Sequence, residues 1–142
     1  MDIARRINAG SSLVREEEMC LIKSGNKRLF KRYINHHFLS QSAETKLVQS
    51  KRKQWFNLYV KEGFLCEKTQ ILLFRYPALF QCYVEQHLLS EAAEMKLVQT
   101  NNLKLLKIYT KHHSLSRKAE EQLSKSKNRK FWKWYKKQWS IR

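Results

Sequence analysis

The chain repeats itself. Residues 39–49, LSQSAETKLVQ, and 89–99, LSEAAEMKLVQ, agree at nearly every position, and a third copy, LSRKAEEQLSK, starts at Leu115. Residues 65–75, LCEKTQILLFR, and 13–22, LVREEEMCLI, supply two more degenerate copies. Internal similarity at a fixed short period is the signature of an array of supersecondary units. With the first Leu of each unit as position 0, Leu13, Leu39, Leu65, Leu89 and Leu115 are followed eight residues later by Leu21, Leu47, Leu73, Leu97 and Leu123. A bulky pair comes next: Leu29-Phe30, Trp55-Phe56, Leu79-Phe80, Leu105-Leu106 and Phe131-Trp132. Three residues beyond each pair stand Tyr33, Tyr59, Tyr83, Tyr109 and Tyr135. The unit is 26 residues long and the third has lost two.

Apolar residues at 0, +4, +8 and +9, and again at +16, +17 and +20, have the spacing of two amphipathic helices of about ten residues each. Ser40, Ser90 and Ser116 are expected to cap the first helix, with Glu44, Glu94 and Glu120 favoured early in it by the helix dipole. Asn26, Asn102 and Asn128 are expected to cap the second. Pro77 falls where the second helix of the third unit begins, which places the two-residue deletion between Phe74 and Pro77 in the turn and leaves both helices their length. Helices this short are marginal alone, so successive hairpins must stack on a shared core. The expected fold is all-α, a right-handed α-solenoid of five stacked two-helix repeats, 13–38, 39–64, 65–88, 89–114 and 115–142, behind a lead or partial capping helix at 1–12. The pattern Leu-Ser-x-x-Ala-Glu-x-x-Leu-Val, then Asn, a bulky pair and Tyr, resembles the short-unit helical repeats of bacterial proteins grouped with HEAT-like and leucine-rich-variant solenoids. That resemblance implies a binding scaffold without naming its ligand.

Composition removes several chemistries. Only three glycines occur, Gly10, Gly25 and Gly63, isolated from one another, so no phosphate-cradling loop or dinucleotide fingerprint exists. The single aspartate is Asp2 and the eleven glutamates sit mostly at helix starts, which leaves poor material for a carboxylate active site. Neither a cofactor nor a small-molecule substrate is expected, and the chain reads as a non-enzyme. Cys20, Cys66 and Cys82 lie in no ligand-pair spacing and read as reduced, buried packing thiols, without a metal site. No stretch approaches a membrane span and residues 1–20 lack the apolar middle of a signal peptide, so a soluble, cytoplasmic protein is expected. His37, His87 and His113 recur at +24, where packing against the next unit and a place near a helix C-terminus account for them.

Charge carries the functional reading. Against 12 acids stand 29 Lys and Arg, a net +17. The lead contributes +1 and the five units +3, +3, 0, +2 and +8 in order. Arg28, Lys104 and Lys130 share position +15, Lys31, Lys107 and Lys133 share +18, and Lys61, Lys111 and Lys137 share +22. On a helix these three positions fall within about 60° of one another, opposite the bulky pair and Tyr. A solvated face would carry such cations too, but with Glu interleaved. Here the second helices of the four cationic units hold almost no acid apart from Glu62. The expected partner is therefore nucleic acid or another polyanion, bound by Arg28, Lys31, Lys61, Lys104, Lys107, Lys111, Arg129, Lys130, Lys133 and Lys137, with Trp134 free to stack on a base. An acidic protein held in the groove is the alternative. A membrane surface, met by the segment KFWKWYKKQW, is a third reading.

Overall fold

The computed structural model describes residues 3–100 and 102–139, and among these every regular element is helical. The helices are α1 (Ile3–Asn8), α2 (Arg15–Ser24), α3 (Lys27–Ile34), α4 (Gln41–Gln49), α5 (Lys53–Glu62), α6 (Glu67–Leu72), α7 (Pro77–Val84), α8 (Glu91–Gln99), α9 (Leu103–His112), α10 (Arg117–Lys125) and α11 (Arg129–Gln138). Every helix except α11 packs mainly on its next-but-one neighbour. The even-numbered helices α2, α4, α6, α8 and α10 form one row, and α1, α3, α5, α7 and α9 form another. Each of the first four sequence units supplies one helix to each row, and the fifth supplies α10 and then α11, which packs on α10 and bonds to the end of α9 through Trp139. The lead supplies α1, which lies on α3 and buries Ile7.

The core follows the ladder. Leucines at 0 and +8 are buried in every unit, and the five tyrosines at +20 are only 0–2% exposed. Ser40, Ser90 and Ser116 cap α4, α8 and α10 by accepting from the backbone N–H of Ala43, Ala93 and Ala119. Asn26 and Asn102 cap α3 and α9 in the same way, and Pro77 is the first residue of α7. A hydroxyl at +11 ties the turn between the paired helices. Ser24, Ser50, Thr100 and Ser126 each donate to the carbonyl three residues back and accept the N–H two residues on. At +12 of the first two units the backbone turns left-handed, on Gly25 (φ 75°) and on Lys51 (φ 57°).

Two expectations need correction. The third unit does not keep its first helix intact: α6 ends at Leu72 and its last turn tightens into a 3-10 turn, Leu73–Arg75. A connection cut to Tyr76 alone takes up the rest of the deletion before Pro77. The cysteines are not buried, since Cys20 is exposed and Cys66 and Cys82 are half-buried, and all three are unpaired. Cys66 occupies the serine cap position, with its Sγ 3.0 Å from Thr69 Oγ1.

The glutamates at +5 stand in the first turns of α4, α8 and α10 as expected, and they also carry bonds that the dipole does not explain. Tyr59 accepts the N–H of Leu39 at 3.1 Å and donates to Glu44 at 2.6 Å. The other oxygen of Glu44 accepts from the N–H of Cys66 and the hydroxyl of Thr69, both in the following unit. Tyr33 and Glu18 reach Ser40 in the same manner, and Tyr109 and Glu94 reach Ser116. In the third unit Gln70 replaces the acid. Its amide donates to the carbonyl of Leu65 and its oxygen accepts from Ser90, while Tyr83 only accepts, from Leu65. Each tyrosine thus closes its own hairpin, and each +5 side chain in the first four units holds the next hairpin.

Removing a hydroxyl beside a buried carboxylate strands two polar groups. Tyr59→Phe and Tyr109→Phe should each cost about 2–3 kcal/mol, and Tyr83→Phe, which has no carboxylate arm, about 1 kcal/mol, read by urea denaturation. The same network fixes the alkaline limit. Burial, then the bond to Glu18, pushes Tyr33 up to about 12, and burial pushes Tyr83 up to about 12. Tyr59, Tyr109 and Tyr135 are raised by burial and their facing glutamates. A raised folded pKa favours the neutral phenol, so this stability is whole below about pH 10 and is lost as the pH rises from there toward 12. Tyrosinate absorbance at 295 nm and loss of helical circular dichroism should therefore appear together.

Candidate nucleic-acid interface

The cationic positions project from the second helices of the units, opposite the tyrosines. Position +15 reads Arg28, Gln54, Ala78, Lys104 and Lys130 along the units, +18 reads Lys31, Asn57, Gln81, Lys107 and Lys133, and +22 reads Asn35, Lys61, Glu85, Lys111 and Lys137. Every Lys and Arg among them is exposed. The row is nevertheless uneven. Helix α3 carries Arg28 and Lys31, α5 carries only Lys61, and α7 carries none and bears Glu85. Helices α9 and α11 carry three apiece and contain no acid. Three helix-to-helix steps of 8–10 Å put α3 roughly 25–30 Å from α9. The structure thus brings Lys104, Lys107, Lys111, Lys130, Lys133 and Lys137 together and leaves Arg28, Lys31 and Lys61 apart from them.

Aromatic packing joins α9 to α11. Trp134 is half-buried, with Phe131 5.4 Å from its ring and the Lys107 ammonium 5.8 Å above it. Lys136 lies over Trp132 at 5.6 Å. Arg129 is exposed, and its guanidinium donates to the carbonyl of Ser124 at 3.3 Å, off the six-lysine group. Trp139 donates its indole N–H to the carbonyl of Thr110 at 2.9 Å. That is the position at which His87 and His113 place Nε2 against the carbonyls of Val60 and Val84, and His37 against that of Gly10. A carbonyl only accepts, so each Nε2 carries the hydrogen. These rings therefore grip the preceding segment, not the following unit, and Trp139 is the fifth unit's substitute for the histidine.

Among the described residues the ion pairs are Arg6–Glu17, Arg15–Glu16 and Arg117–Glu121, and none involves a lysine of α9 or α11. Glu85 and Lys111 line one shallow depression with Gln81, Ile108 and His112 but form no ion pair. The six lysines are exposed and form no ion pair among the described residues, and ammonium groups suit phosphates rather than base edges. No three His, Cys, Asp or Glu residues gather to hold a metal ion among the described residues, and none of the described helices is long and apolar enough to cross a membrane. Sequence reasoning alone missed Lys125 and Lys127, which line a depression between the ends of α8 and α10 with Val98, Gln99 and Asn128. The chain matches no known protein family, no curated protein and no solved structure.

Like charges three and four apart on one helix face repel. Converting Lys104, Lys107 and Lys111 to Gln should stabilise the protein by about 0.4–1 kcal/mol in low salt. The gain should vanish in 1 M salt, where screening shortens to about 3 Å. Thermal melts at both salt concentrations check this.

Proposed function

We propose that this chain is a cytoplasmic, non-enzymatic helical-repeat module, a right-handed α-solenoid of five HEAT-like units, that binds nucleic acid through its second helices. The next-but-one packing of the helices and their common register support the solenoid reading. Unpaired thiols support a reducing compartment. The buried glutamates are taken up by tyrosines and neighbouring backbone, which supports a structural use of the acids rather than a catalytic one.

One observation carries the ligand: two adjacent acid-free helices present six exposed lysines with no ion pair among the described residues. A surface of that kind gains from displacing condensed counterions on a polyanion. Lysine lacks the planar fork that reads guanine, so binding is largely independent of sequence. Affinity centres on α9 and α11, and Arg28, Lys31 and Lys61 add contacts only for ligands long enough to span the row.

With about six phosphates neutralised, the affinity for a duplex should fall roughly a thousandfold between 50 and 200 mM salt. Changing Lys104, Lys107 and Lys111 to Gln should reduce the logarithmic salt slope by about three, whereas Arg28→Gln with Lys31→Gln should barely alter binding to a short duplex. A slope near zero for the unmodified chain overturns the reading. Tighter binding of poly-glutamate than of DNA at equal salt replaces it with an acidic protein partner.

A further inference from the structure

Position +19 makes an apolar seam beside the cationic positions of the second helices. It reads Leu58, Cys82, Ile108 and Trp134 in the last four units, each half-buried and packed against the core, and Arg32 in the first. At 100° per residue it lies about 40° from position +15 and about 60° from +22. Leu58, Cys82 and Ile108 fill this place with much smaller side chains, so closing the core does not require an indole. Trp134 therefore leaves part of a large flat ring at the surface, in the middle of the six-lysine group.

Three lysines flank that ring. Lys130 and Lys137 stand four residues before it and three after it on α11, which makes them its neighbours on the helix surface, and both are exposed. From α9 the Lys107 ammonium reaches over the ring, 5.8 Å from its centroid. Phe131 packs on the indole at 5.4 Å with the two planes 33° apart. The ring is thus backed by a core aromatic and screened by one ammonium. Trp132 also carries a lysine, but Lys136 comes from the same helix, and Trp132 sits at +17, toward the tyrosines and away from the six-lysine face.

The contact between Lys107 and Trp134 is easily exchanged. Its length is close to the limit of about 6 Å for a cation–π interaction, Lys107 is exposed, and it forms no ion pair among the described residues. A phosphate oxygen is a stronger partner for an ammonium than a ring face. Once Lys107 has moved to a phosphate, the indole face is open, and a nucleobase can stack on it whatever its sequence. Bases inside a duplex already have both faces covered, so only an unpaired base can take the place.

We propose that the face formed by α9 and α11 takes single-stranded nucleic acid, with an unpaired base stacked on Trp134 where the Lys107 ammonium lies in the free protein, and with Lys107, Lys130 and Lys137 on the flanking phosphates. This rests on the polyanion reading of the six lysines and adds the ligand class to it.

The test follows labelled probes by fluorescence anisotropy at equal salt: a short oligothymidylate, an abasic sugar-phosphate strand of the same length, and a short duplex. Oligothymidylate should bind about tenfold more tightly than the abasic strand, as one base on an aromatic platform allows. Trp134→Leu, which installs the residue that the second unit carries at this position, should remove that advantage with unchanged helical circular dichroism. It should leave the abasic strand, the duplex and the salt slopes as they were, and Trp134→Phe should restore part of the advantage. The tryptophan emission that oligothymidylate quenches should disappear in the Leu variant. Lys107→Gln should lower the logarithmic salt slope for single strands by about 0.7 and keep the preference for bases. Oligouridylate run alongside separates RNA from DNA, and an advantage of either base-carrying strand over the abasic one supports the assignment. Equal affinity for all three single strands overturns it and leaves polyanion binding standing, whereas absence of binding to every probe at low salt overturns both. A preference for bases that survives Trp134→Leu undiminished also overturns it.

Discussion

A hydrogen-bonded chain running backbone to tyrosine to glutamate to the next backbone is the interaction on which this structure rests. Hairpins of helices this short leave amide hydrogens at their junctions inside the protein, and a buried donor without an acceptor is costly. Tyrosine solves the problem within a hairpin because its hydroxyl both accepts from the junction and donates onward. Glutamate solves it between hairpins because one carboxylate has two oxygens to share. Glu44 shows the arrangement in full, holding Tyr59 on one oxygen and Cys66 with Thr69 on the other. A buried carboxylate is tolerable only when its lone pairs are used in this way. The apolar ladder supplies the driving force for collapse, and the polar chain sets which hairpin faces which.

Much of this architecture was legible in the residues, and the reasons are local. Leucine, tyrosine, serine and proline announce themselves by periodicity and by capping chemistry, which depend on neighbours three or four residues away. The glutamates were not legible, because an acid one turn into a helix has a sufficient local explanation in the dipole. Their partners lie 15 and 22 residues ahead, as Tyr33 and Ser40 show for Glu18. The histidines misled for the same reason, since a ring at a helix end gives no sign of which neighbour it grips. Trp139 could be recognised as a stand-in for histidine only once its indole was seen on the carbonyl of Thr110. For the candidate site, the identity of the cations was plain in the sequence. Their grouping was less so, because it depends on which helices lie side by side and on the bare outer face of α7.

The charge distribution follows from that division of labour. With acids scarce, the interior claims Glu18, Glu44, Glu94 and Glu120, and the outer faces of the terminal helices are left with nothing to offset their lysines. The acids that remain outside collect beside Phe64 and Leu88. Each of these has a lysine near it, Lys61 beside Glu62, Lys68 beside Glu67, Lys111 with Glu85 and Lys118 with Glu91, so they do not offset the lysines of α11.

Gln70 gives the middle of the array a character of its own. A carboxylate can turn over and present the same two acceptors, but a carboxamide works in one orientation only, with nitrogen toward Leu65 and oxygen toward Ser90. It also leaves Tyr83 without an acceptor of the kind its counterparts enjoy. In an array stabilised by adjacent contacts, the seam between the net-neutral third unit and the two lysine-rich units beyond it therefore has a single hydrogen-bonding orientation where the carboxylate seams have two equivalent ones.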